Sequence, residues 1–322
     1  MIDLFHIPSY QIDTSKFSNL LHDKTVTEFE ERFAEYVGAK YAVSLSSATA
    51  AIFLILKALE LDKENAVISI PSIIPPVVPN AIIQAGCKLS FNDNIKWVGS
   101  SYILHQHRGR CIVDSAQRLY KNQFAYQAAS DYDLMFFSFY PTKPVGSADG
   151  GMVVSNDSSI IDEIRQLSKN GMTNEISNSD KSIKQVGYKM YMNSLQAYIA
   201  NKNLDRLEDK KATLANTCKM YNDAFGLNNS SHHLYRINVS AKEKIDRNDI
   251  LKLAKNNGVA TGIHYQALHG HNVYSDFYHG TGHYNSQIES ETTISIPFHE
   301  KLTPDEIYKV IEVFHPFVVP AK

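Results

Sequence analysis

Three stretches of this 322-residue chain carry side chains that could do chemistry together. In DLMFFSFYPTKPVGSADGGMVVSND (133–157) an apolar run ends at Ser138, a loop carries Lys143, and a second apolar run follows Gly150 and Gly151. In CIVDSAQ (111–117) an apolar run ends in Asp114, at the strand end where open α/β sheets collect ligands, and Gln117 can hydrogen-bond from the same side. In SLSSATAAIFLILKAL (44–59) the small residues Ser47, Ala48 and Thr49 turn the chain into a helix, leaving N–H groups and hydroxyls free at its start. Each has a bland explanation alone: a solvated loop charge, a capping aspartate, an ordinary helix cap. In combination they are the parts that hold pyridoxal phosphate. The amine makes a Schiff base, the carboxylate pairs with the pyridine nitrogen and the helix start takes the phosphate.

The elements that must position these groups alternate between strand and helix. A capping-box pattern at Thr27 and Glu30 predicts a helix stopped by Gly38, residues 40–46 read as a strand, and about 49–61 as a helix packed deep against a sheet. VISI (67–70), a helix with Pro79 in its first turn and Gly86 at its end, and a strand at 87–91 continue the pattern. The order implies an α/β fold with a mostly parallel, mixed sheet covered by helices. YILHQH (102–107) does not fit simply. Too few residues separate it from the strand at 111 for the two to be parallel neighbours joined by a helix, so either 102–107 is an extended connector or the sheet is irregular here.

Further helices are expected at 159–168 and from about Ser194 to Tyr221, where rising charge marks a domain boundary. We therefore read 1–210 as a large cofactor-binding domain and 211–322 as a small α/β domain. In the latter, 234–239, GIHY (262–265) and ISIP (294–297) read as strands and 246–258 as a helix. LTPDEIYKVIEVF (302–314) starts with a Thr303 cap, Pro304 at the first position and Glu306 completing the box.

Composition narrows the function classes. A net charge of −2 gives no reason to expect a nucleic-acid partner. Three scattered cysteines read as reduced thiols, and the start has neither the basic leader nor the apolar core of a secretory signal. With no uninterrupted apolar run long enough to span a membrane, the cytoplasm is the expected location. The 13 histidines, among them the pairs 105/107, 232/233 and 264/269, lack metal-ligand spacing, so no metal site is expected.

On these motifs the chain resembles the DegT/DnrJ/EryC1/StrS family of pyridoxal-phosphate aminotransferases acting on nucleotide-linked keto-sugars, over roughly 25–315. Ser47-Ala48-Thr49-Ala50 is similar to the family's S(G/A)TAA turn, Asp114-Ser115-Ala116-Gln117 to its DxAQ segment, and Ser138 through Lys143 to its SFxxxK. GIHYQALH and ISIPFHEKLTPDEI resemble its carboxyl-terminal patterns.

The resemblance implies fold type I, Lys143 as the internal-aldimine lysine, Asp114 on the pyridine nitrogen and Gln117 on the ring-hydroxyl side. It implies Ala48, Thr49 and Ser138 on the phosphate, and His264 and Tyr265 toward sugar or nucleotide. It also implies L-glutamate as amino donor, a role in cell-surface polysaccharide or related sugar biosynthesis, and a homodimer with cofactors near the subunit boundary. A sugar dehydratase on the same fold and a non-catalytic regulatory member are the alternatives. The dehydratases known to us have histidine in place of the lysine, and folding alone does not require the retained set.

Three departures stand out. Ile73-Ile74-Pro75-Pro76 occupies the place of an aromatic residue that stacks on the cofactor ring. Lys189, in Gly187–Met192, replaces an asparagine that reaches the neighbouring subunit's phosphate. The segment 92–110 is short by most of a strand-and-helix unit.

Overall fold

The computed structural model describes residues 1–17, 20–172, 182–240, 246–278 and 280–320. The chain opens with α1 (Lys24–Val37), β1 (Tyr41–Leu45), α2 (Ala48–Ala58), β2 (Val67–Pro71), α3 (Val77–Gln84) and β3 (Lys88–Asn92). It continues through β4 (Tyr102–His107), β5 (Arg110–Asp114), α4 (Gln123–Gln127), β6 (Leu134–Ser138), β7 (Gly151–Ser155), α5 (Ser158–Ser168), α6 (Ser194–Asp205) and α7 (Leu207–Phe225). It closes with β8 (Tyr235–Asn238), α8 (Arg247–Asn256), α9 (Tyr284–Thr292), β9 (Thr293–Ile296) and α10 (Pro304–Phe314).

The central sheet has the order β1-β7-β6-β5-β4. Its strands are apolar on both faces, and successive residues point to opposite sides. Val43, Ile112, Leu134, Phe136 and Val153 pack with α2, α3 and α5, whereas Ala42, Val113, Met135, Phe137, Met152 and Val154 pack with α1 and α6. The result is a helix–sheet–helix sandwich.

The sheet is mixed, as expected, but three of its four neighbouring pairs are antiparallel. Strands β1, β5 and β6 share one direction; β7 is threaded between β1 and β6 in the other, and β4 is reversed. β2 and β3 form a separate parallel pair.

The connection problem at 102–111 resolves as a hairpin. His107 pairs with Arg110, leaving the two-residue loop Arg108-Gly109 with φ of 48° and 80°. Positive φ at both positions is the signature of a type I′ turn, whose twist matches that of the flanking strands. Without a crossover helix, β4 has to run antiparallel to β5.

Other differences from expectation have local causes. α1 starts three residues before Thr27, because Asp23 accepts from the Thr25 N–H and caps it. Glu30 is instead a buried carboxylate that accepts from the Ser44 N–H at 2.7 Å and pairs with Arg165 at 2.8 Å. The single helix expected from Ser194 breaks at Arg206, so α6 and α7 lie in different directions of packing. Leu204 and Leu207 belong to the sheet's core, while Leu214, Cys218, Tyr221 and Phe225 belong to a third cluster with Tyr235, Ile250, Ile296 and Phe314. GIHY is not a strand. Gly262 exchanges both backbone hydrogen bonds with Ser295, and the chain then leaves the β8–β9 ribbon. α10 starts as expected on the Thr303–Glu306 capping box. No helix among the described residues is long and apolar enough to cross a membrane.

Candidate active site

Strand direction gathers the sequence motifs at one edge of the sheet. The carboxyl ends of β1, β5 and β6 bring Ser47, Asp114 and Ser138 to the side where β7 begins with Gly151. Register makes the proximity explicit, since Ser138 and Leu45 both pair with Gly151. A Cβ on Gly151 would lie 2.5 Å from the Ser47 carbonyl oxygen and 2.7 Å from the Ala48 nitrogen. Only glycine lets β7 approach the start of α2 this closely. Ser47 caps that helix by accepting from the Ala50 N–H at 3.1 Å. The Ala48 and Thr49 N–H groups are the first two of the helix and have no carbonyl within it to bond, and both residues are partly exposed.

The loop that carries Lys143 is tightly folded. The Lys143 N–H donates to the Tyr140 carbonyl at 2.8 Å, Ser147 N–H to Phe139 at 2.8 Å, and a Cβ at Gly146 would overlap the Pro141 carbonyl. Lys210 from α7 reaches the Lys143 and Pro144 carbonyls, each at 3.4 Å. The lysine residue is partly covered, while its amine lies deep among protein atoms. That burial brings its pKa down to about 8, against the opposing pull of Asp114.

Asp114 is 3 % exposed. Burial pushes its carboxyl up to about 6, offset by the Ala116 N–H at 2.9 Å, the Tyr102 hydroxyl and the Lys143 amine. A buried amine and a buried carboxyl are thus each drawn toward the neutral form, as low polarity dictates. Gln117 uses both ends of its amide: its oxygen accepts from the Gly99 N–H at 2.7 Å, and its nitrogen donates to the Tyr265 hydroxyl at 2.9 Å.

The carboxyl-terminal part of the chain closes over this edge. His233, just before β8, places Nε2 3.3 Å from the Lys143 amine. Burial and then the Lys143 charge hold its pKa well below the usual histidine range, so the ring is neutral. His264 is lowered to about 4 by burial, then by Lys143 and Arg236, and its Nδ1 lies 2.9 Å from the Ser295 hydroxyl. Phe5, from the amino-terminal arm, stacks on His233 at 6.1 Å and meets His264 edge-on at 5.8 Å. Tyr265 lies parallel to Trp97 at 6.2 Å. Arg236 pairs with Glu289 at 2.9 Å and donates to the His264 carbonyl at 3.1 Å, which fixes the segment bearing both side chains.

Of the residues singled out in the sequence, Lys143, Asp114, Gln117, His264 and Tyr265 meet at one place, with Ala48, Thr49 and Ser138 along the same edge. Lys189 does not join them within one chain. It is exposed, and its backbone bridges Lys169.

Sequence reasoning missed His233, Tyr102, Phe5 and Trp97. His233 carried a faint signal as one of a histidine pair, weighed only as a metal ligand; the other three come from segments without a motif. Among the described residues no group of three or more His, Cys, Asp and Glu side chains is arranged to hold a metal ion.

Comparison with known proteins agrees with this geometry. The chain is 28% identical to the spore coat polysaccharide biosynthesis protein SpsC of Bacillus subtilis, over 91% of this chain and 89% of that protein. It is 24% identical to a UDP-4-amino-4,6-dideoxy-N-acetyl-beta-L-altrosamine transaminase of Campylobacter jejuni, over 97% of this chain and 98% of that one. Among solved structures, the PLP form of the putative sugar aminotransferase Spr1654 from Streptococcus pneumoniae superposes with a TM-score of 0.80 at 20% identity, covering 97% of each chain. Helicobacter pylori PseC, an aminotransferase of pseudoaminic acid biosynthesis, gives 0.79 at 18% identity, covering 98% of this chain and all of that one. The fold is that of type I pyridoxal-phosphate enzymes. The family model spans residues 11–96 and 102–315, interrupted only at 97–101 just before β4, and with that coverage the chain belongs to the DegT/DnrJ/EryC1/StrS aminotransferase family.

Proposed function

We propose that this protein moves an amino group from an amino acid, L-glutamate, to a nucleotide-linked keto-deoxysugar, with pyridoxal phosphate bound at Lys143, in cell-surface polysaccharide or related sugar biosynthesis. The observation that carries the reading is the buried Lys143 amine beside the buried Asp114 carboxyl, at the sheet edge where α2 begins. The donor set fits the cofactor: an amine with a lowered pKa, a carboxylate, and free helix N–H groups with the Ser138 hydroxyl at the edge where Gly151 makes room. The transaminase and polysaccharide-biosynthesis names of the relatives support the sugar substrate.

When bound, pyridoxal phosphate supplies an aldehyde that takes up amines and a ring that spreads the electron pair left by a departing proton. Lys143 is the amine for that aldehyde and, once freed, the base that carries a proton at its Nζ. Asp114 would pair with the ring nitrogen and keep it protonated, Gln117 would serve the ring hydroxyl, and Ala48, Thr49 and Ser138 would hold the phosphate. His233 is neutral at working pH, and its Nε2, 3.3 Å from the Lys143 amine, orients it. His264 and Tyr265 exclude water and meet the sugar nucleotide. Residues 1–210 form the cofactor domain and 211–322 the smaller one that covers it, in a homodimer of the cytoplasm to which Lys189 contributes across the boundary.

The test is the absorbance of the purified protein with added cofactor, before and after glutamate. We expect a band near the visible edge that moves to shorter wavelength with glutamate and is absent from Lys143→Ala. A Lys143→Ala protein whose spectrum responds like the parent would end the assignment. A panel of nucleotide keto-sugars then identifies the acceptor.

A further inference from the structure

A carboxylate that pairs with a ring nitrogen must be both ionised and aimed, yet Asp114 is buried deeply enough to favour its neutral form. Of the groups that offset this, the Ala116 N–H belongs to the turn after β5 and Lys143 to the reacting loop. The remaining one is the hydroxyl of Tyr102, a residue that the motifs leave out.

Its position follows from the hairpin. Because β4 is antiparallel to β5, its first residue lies at the carboxyl end of β5, and Tyr102 is the register partner of Asp114. Directly opposed residues of an antiparallel pair have their side chains on the same face, a few ångströms apart. A parallel strand reached through a helical crossover would have brought its last residue to this edge. Tyr102 is 8 % exposed, and its ring is held edge-to-face against Trp97 at 5.0 Å. Trp97 is itself tied by its indole N–H to the Ile73 carbonyl at 2.8 Å. The Tyr102 hydroxyl is closed off from solvent and makes no hydrogen bond within bonding distance among the described residues; the polar group beside it is the Asp114 carboxylate. A ring that only filled the core would be better served by phenylalanine, since a buried hydroxyl without use is costly.

We propose that Tyr102 is a positioning residue for Asp114: its hydroxyl donates to the carboxylate and fixes which oxygen faces the bound cofactor ring. The second half of this statement rests on the reading of Asp114 given above. The hairpin thus supplies a contact of its own to the site.

The experiment compares full-length wild type, Tyr102→Phe and Asp114→Asn, each first cofactor-free and with thermal melts to verify folding. Carboxyl carbon NMR, with Asp114→Asn identifying the resonance, gives the Asp114 titration. In Tyr102→Phe its midpoint should move upward by about one pH unit, because the lost donor favoured the ionised form. Absorbance titrations then compare pyridoxal phosphate with the analogue that carries C–H in place of the ring nitrogen. Tyr102→Phe should weaken the natural cofactor roughly ten-fold and leave the analogue nearly unchanged.

An unmoved carboxyl titration in Tyr102→Phe overturns the proposal whatever Asp114→Asn does. An Asp114→Asn protein that binds both compounds as the wild type does overturns the role of Asp114, and with it the aiming of the carboxylate. Should Tyr102→Phe not fold, 3-fluorotyrosine at position 102, a stronger donor of nearly the same size, should move the midpoint downward, and no movement counts against the proposal.

Discussion

An amine can add to an aldehyde only while its lone pair is free, and an ordinary lysine at pH 7 is almost wholly ammonium. Lys143 escapes this through burial, which lowers its pKa to about 8. A fall of that size from the ordinary lysine value of 10.5 raises the neutral fraction at pH 7 by roughly 300-fold. The depressed lysine is protonated below about pH 8 and free above it. We therefore expect cofactor capture by the cofactor-free protein, followed by borohydride trapping at Lys143, to accelerate as pH rises and level off above about 8. A rate still climbing at pH 10 would show an unperturbed amine. The neighbouring imidazole of His233 contributes no competing charge, because it is itself held neutral.

The hairpin from β4 to β5 is the element that most distinguishes this chain. Its two turn residues have φ of 48° and 80°, a conformation for which Asn-Gly is the favoured pair. Gly109 suits its position, whereas Arg108 bears a side chain in left-handed backbone and is held by an exposed ion pair with Glu64. Exposed pairs contribute little, and relief of the backbone is worth more. Arg108→Asn should therefore stabilise the protein by about 0.5–1 kcal/mol in denaturant unfolding, despite losing the pair. Loss of stability on that change would mean that the Glu64 contact, not the turn, holds the hairpin.

Across the whole molecule, the site is assembled from parts distant in sequence: Phe5 from the amino-terminal arm, Lys143 from the loop between β6 and β7, and His233 and His264 from the carboxyl-terminal third. Lys189 is the exception, exposed and without contact to these groups inside one chain. If it serves the partner's cofactor in a symmetric dimer, Lys143→Ala and Lys189→Ala chains are complementary. Refolded together in equal amounts, two nearly inactive proteins should recover about a quarter of wild-type activity, since half the dimers are hybrids and each hybrid has one complete site. No recovery, with hybrid formation verified by native mass spectrometry, would place the action of Lys189 within its own chain.

Sequence by itself determined the chemistry and the layer plan. Asp114 and the Ser47–Thr49 turn were legible because each ends or begins an apolar run, and Lys143 and Gln117 because each lies within a few residues of such an end, which fixes a chain segment at a sheet edge whatever the neighbours do. The clean start of α10 was legible because capping is a local hydrogen bond between residues three apart. What only the tertiary structure decided depends on strand direction and on contacts between remote segments. The spacing at 107–111 excluded a helical crossover, but the antiparallel register that sets Tyr102 against Asp114 had to be seen. Likewise the cap of α1 passed from Thr27 to Asp23, because Glu30 is drawn into a buried pair with Arg165, 135 residues away. Burial is a property of the assembled fold, and so the lowered lysine, the neutral His233 and the buried tyrosine hydroxyl have no counterpart in the sequence alone.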